Sequence, residues 1–68
     1  MRYAVVIERA GQNYSAYVPD LPSCVATGAT LAGAGQEIGA AVRFHIEGLR
    51  QDGQTMPEPS AVAEYINA

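Results

Sequence analysis

Residues 3–27 read YAVVIERAGQNYSAYVPDLPSCVAT, and the phasing of this stretch decides the fold. Tyr3 to Arg9 is rich in β-branched residues, and a Gly11-Gln12-Asn13 turn separates it from Tyr14-Ser15-Ala16-Tyr17-Val18, so the pair reads as a β-hairpin. Neither proline of Pro19-Asp20-Leu21-Pro22 can donate to a ladder, which ends the second strand there. Cys24-Val25-Ala26-Thr27 then reads as a third short strand. Tyr3, Val5 and Ile7 point to one side of the first strand and Ala4 and Val6 to the other, so this strand is apolar on both faces.

Downstream of the strands the apolar spacing changes. Thr30 is a good helix N-cap, and Leu31, Ala34, Ile38, Ala41, Val42, His45 and Leu49 recur with helical period, which predicts about five turns from Leu31 to Arg50 closed by Asp52-Gly53. Gly33, Gly35 and Gly39 fall inside that helix, each costing about 0.5–1 kcal/mol relative to alanine. Such glycines are either plain weaknesses or points where the backbone approaches a sheet or another helix closely, and the second is expected here. Met56-Pro57-Glu58-Pro59-Ser60 should be an extended connector, because each proline pushes the preceding residue out of the helical region. From Val62 to Asn67 the alternation favours a last short strand, although a helical turn also fits.

These elements make an α+β fold of order βββαβ: an antiparallel three-stranded meander, one helix on one face, and a final strand returning beside the first by a right-handed crossover. Residues 1–68 are expected to form one domain. One helix covers one face only, so a second copy of the chain is the expected cover for the other. Size points the same way, since a chain of 68 residues buries only roughly 60% of its unfolded surface and needs outside support. A single cysteine excludes an internal disulfide, and one histidine with one thiol cannot build a four-ligand zinc site. A homodimer or larger even oligomer is therefore expected, with no metal and no cofactor.

Four arginines, no lysine and seven acidic residues give a net charge of −3, the wrong sign for phosphate neutralisation. Direct nucleic-acid binding by this chain alone is not expected. The apolar run near Met1 is too short for a signal sequence or a membrane span, which makes the cytoplasm the expected compartment.

Beyond these patterns, the series from Tyr14 to Cys24 resembles the signature of HicB-type antitoxins. Gly28-Ala29-Thr30-Leu31 is similar to that family's helix start, His45-Ile46-Glu47-Gly48-Leu49 to its late-helix segment, and Gly53 through Ser60 to its connector. The chain departs from the family pattern at Ser23, where glycine is usual, and at Gly33 and Gly35, where helix formers are usual. The resemblance implies a partial RNase H-like domain. It also implies neutralisation of a small basic HicA toxin, an RNA-cleaving protein, without the DNA-binding module that often follows in such proteins.

Candidate sites follow from chemistry. Metal-dependent nuclease action needs several carboxylates converging on divalent ions, and Glu8, Glu37, Glu47 and Glu64 show no spacing that argues such a set. His45 and Cys24 have no partners in sequence that suggest a catalytic triad or an activated thiol. No catalytic residue is assigned. Structurally, the two prolines of Pro19-Asp20-Leu21-Pro22 rigidify the turn and Asp20 can cap backbone amides; functionally, the same corner can present a carboxylate and an apolar side chain to a basic partner with little entropy to lose, and Tyr14 and Tyr17 suit either sheet packing or interface anchors. Together with Glu8 these residues, Tyr14, Tyr17, Pro19, Asp20, Leu21 and Pro22, form the candidate surface for a protein partner. The competing expectation is an orphan oligomeric scaffold or small-ligand-binding protein of the same fold.

Overall fold

A computed structural model describes all residues from Met1 to Ala68. Three strands, β1 (Val6–Ala10), β2 (Asn13–Tyr17) and β3 (Val25–Gly28), form an antiparallel meander in the order β1-β2-β3, followed by one helix, α1 (Leu31–Gln51). Ala10 pairs with Asn13 across a two-residue turn in which Gly11 has φ +64°. With positive φ at its first central residue only, this is a type II′ hairpin turn, whose twist suits the strands it joins.

Ile7, Ala16 and Ala26 lie in one row across the sheet and face the helix, while Val6, Tyr17 and Val25 form the next row and face away. The buried core is small: Ala16, Val18, Leu21 and Cys24 meet Ile38 of α1, with Tyr3, Val5, Ile7, Ala41, Val42 and Ile46 packed around them. The helix sits over β3 and β2 and only grazes β1.

Gly28 explains how the helix comes so close. A Cβ there would strike the backbone nitrogen of Ala34 and lie 2.8 Å from its Cα. Thr30 caps the helix, its hydroxyl accepting from Gly33 N–H at 2.9 Å. At the other end Gln54 N–H donates to Leu49 C=O and Gly53 N–H, at φ +69°, to Arg50 C=O, a Schellman closure. The glycines expected to allow close packing within α1 do not do so. Cβ positions at Gly35 and Gly39 meet only Ile7 Cδ1 at 4.0 Å and the Arg43 guanidinium at 3.6 Å, and at Gly33 the nearest atom is the capping Thr30 hydroxyl at 3.1 Å. The close approach belongs to the strand glycine instead.

The expected final strand does not form. Val62 to Asn67 has no regular structure and joins no ladder, leaving a three-stranded sheet. The connector does return towards β1, since Tyr3 Oη donates to Pro57 C=O at 2.6 Å. Beyond Ala61, however, the side chains of Val62, Tyr65 and Ile66 are 80%, 97% and 89% exposed, so nothing in the chain holds them in register.

Candidate functional site

The corner between β2 and β3 is built from two turns in succession. Leu21 N–H donates to Val18 C=O across Pro19-Asp20, and Cys24 N–H donates to Leu21 C=O across Pro22-Ser23, both at 3.1 Å. Val18 N–H donates to Cys24 C=O and closes the loop at 3.2 Å. Each proline stands at the second position of its turn, where its fixed φ is already correct. Ser23 takes the third position of the second turn with φ +68°, a left-handed conformation that favours glycine.

Inside this corner the sequence-predicted residues divide. Leu21 is 1% exposed and points into the core, so its expected role as an apolar contact for a partner is corrected to that of a core residue. Asp20 is half-buried, and its carboxylate is already engaged: Oδ1 accepts from Ser60 Oγ at 2.8 Å, and Oδ2 from the backbone N–H groups of Ser60 and Ala61 at 3.0 Å each. These bonds, that from Ala61 first, hold the Asp20 carboxyl below the usual carboxylate range. Asp20 thus ties the connector to the corner. Pro19 and Pro22 are exposed on its outside.

Glu8 and Tyr17 come together on the sheet face opposite the helix. Glu8 pairs with Ser15 and Thr27 lies beyond it, while Tyr17 sits between Val6 and Val25 in the adjacent row. Tyr17 is 40% and Val25 64% exposed, which makes an open apolar row bordered by a polar one and by the proline corner. Tyr14 lies on the other face, beneath the Arg9 guanidinium at 5.7 Å from the ring centre. Val25 was not singled out from sequence, and Val6 only as part of the second apolar face of the first strand. Their place follows only from strand register, which sets Val25 opposite Tyr17.

No three side chains among His, Cys, Asp and Glu come together as a metal-binding group. Cys24 is a free, buried thiol whose pKa is pushed up by burial, which keeps it protonated. No helix is long and apolar enough to cross a membrane.

The chain is thus an α+β protein with a small antiparallel sheet, one covering helix, a proline corner and an open outer face. Residues 3–68 match the model of the HicB-like antitoxin of bacterial toxin-antitoxin systems, and the chain belongs to that family. It is 37% identical over 67 residues to an uncharacterised 14.9 kDa protein of the rep-hol intergenic region of Haemophilus phage HP1, covering 98% of this chain and 50% of that protein. The chain therefore spans about half the length of the phage relative. Its fold is similar to a chain of the HicA3 and HicB3 toxin-antitoxin complex, with TM-score 0.73 and 28% identity over 87% of this chain and 70% of that one.

Proposed function

We propose that this chain is the antitoxin of a type II toxin-antitoxin pair and neutralises a small basic HicA-like mRNA interferase by direct binding, without catalysis of its own. Membership of the HicB-like antitoxin family over residues 3–68 is the observation that carries this reading. A net charge of −3 suits a partner whose RNA-binding surface is basic.

Among the candidate contacts, Glu8, Tyr17, Pro19 and Pro22 share the outer sheet face and its corner, and Val6 and Val25 extend the apolar part of that patch. Tyr14, on the other face of the sheet, lies outside this patch, and Asp20 contributes by fixing the corner rather than by meeting toxin. The toxin docks on this face, which a second copy of the chain was expected to cover, and self-association into a homodimer or larger even oligomer uses another surface instead. Nucleic acid is bound by the complex or by a further module, not by this domain alone, and the working compartment is the cytoplasm.

Co-expression with a HicA-like toxin tests the reading, as does a search beside the gene for a short basic reading frame. Growth arrest by the toxin should be relieved, and Tyr17→Ala with Val25→Asp should abolish relief while the protein stays folded. If the parent chain neither relieves arrest nor co-purifies with the toxin, the reading is wrong.

A further inference from the structure

The first strand is the least covered part of the molecule. Strand β1 is at the sheet edge, and α1 lies over β2 and β3 and barely reaches it. Preceding it, the backbone of Arg2 to Val5 takes part in no backbone hydrogen bond, and neither does that of Val62 to Asn67. An open edge of this kind is a template for another strand. Beside the segment that leads into β1 lies a slot of about 410 Å³, lined by Arg2, Tyr3 and Ala4 and by Ala61, Val62 and Ala63. The start of the tail is fixed, because Asp20 holds Ser60 and Ala61, and Tyr3 holds Pro57. The chain's own tail is thus tied across a gap from the edge it was expected to join. Past Ala61 it carries Val62, Tyr65 and Ile66 into solvent, all at least 80% exposed.

We propose that the slot receives the 62–67 tail of a second copy of this chain, so that two protomers exchange tails about a two-fold axis. Geometry favours a second copy over any other strand. If the partner's tail fills this slot, it lies between β1 and this chain's own tail, and the same is true in the other protomer. The strand order across the axis is then β1, partner tail, own tail, partner β1, which closes without a gap and leaves no tail unpaired. That is an isologous arrangement, in which one contact made twice satisfies both copies. Alternate tail residues would face the side of Tyr3 where Met1, Val42, Ile46, Arg50 and Met56 line a shallow groove. The exchange rests on the self-association part of the proposed function and leaves the outer face free for toxin.

The test uses the intact chain without toxin. In Ala4→Cys chains carrying Val62→Cys, Ala63→Cys or Glu64→Cys, native Cys24 is buried and stays out of the reaction. Oxidation at micromolar concentration should give a covalent dimer from at least one pair on a non-reducing gel. Tyr65→Ser with Ile66→Ser should weaken self-association at least about 30-fold, the effect of losing one interface hot spot. Circular dichroism of the diluted monomer should not change, because neither side chain packs within the chain. A dimer that yields only internal disulfides, or no disulfide from any of the three pairs, overturns the exchange, as does a dimer unaffected by the tail substitutions; self-association by another surface would then stand. A chain that sediments as a monomer overturns both. Toxin binding, measured separately, is untouched by either result.

Discussion

Replacing Ser23 with glycine should stabilise the protein. Ser23 sits at φ +68° in the Pro22-Ser23 turn, where an L-residue with a Cβ costs about 1–2 kcal/mol. Glycine removes that cost but gives up about 0.5–1 kcal/mol by widening the conformational freedom of the unfolded chain. Ser23 is exposed, and its side chain makes no hydrogen bond that would be lost. The midpoints of the two ranges leave a net gain of about 0.75 kcal/mol, which for a domain of this size raises the melting temperature by about 3–6 °C. Thermal unfolding by circular dichroism at fixed protein concentration measures it, the fixed concentration being needed because self-association shifts the midpoint. Urea titration should show a higher midpoint with an unchanged slope. A Ser23→Gly protein that melts at or below the parent temperature would show that the left-handed turn is not where strain resides.

Gly28→Ala should cost about 1–3 kcal/mol, because its Cβ meets helix backbone that cannot rotate away; an equilibrium melt that matches the parent would contradict the close approach of β3 and α1. By contrast Gly48→Ala, on the exposed side of α1 with open space around its Cβ, should gain about 0.5–1 kcal/mol, read as a higher urea midpoint. Asp20→Asn should lower the melting temperature at neutral pH by loosening the connector. Since folding lowers the Asp20 pKa, its contribution is fully present above the ordinary aspartate value of 3.8 and is lost as pH falls through the lower folded value. Melts of parent and Asp20→Asn should therefore converge in acid, and a difference that persists or grows there would contradict the clamp.

The strands and the helix were legible in the sequence because each carries a local signal: a run rich in β-branched residues leading into and opening β1, prolines that stop β2, and a Thr30 cap ahead of a helical apolar period. The tail was not. Val62 to Asn67 alternates as a strand should, yet a strand needs a partner edge at the correct distance, and that distance is set by bonds from Asp20 and Tyr3 some 40 and 54 residues away in sequence. Amide capping by Asp20 was legible as one of its two readings, but which amides it caps was not, because those of Ser60 and Ala61 lie some 40 residues away in sequence. Leu21 was misplaced for a related reason, since the double turn rotates it inward while its flanking prolines stay outside. Candidate contacts on regular strands, Glu8 and Tyr17, were brought to one face as pairing register requires.

The most direct test of the central claim is a titration of purified HicA-like toxin with this chain, read as cleavage of a labelled RNA. Cleavage should fall linearly with added chain to zero at a fixed stoichiometric ratio, and Tyr17→Ala with Val25→Asp should shift the inhibition curve to much higher concentration. Cleavage that continues unchanged in the presence of excess folded chain would contradict neutralisation by direct binding.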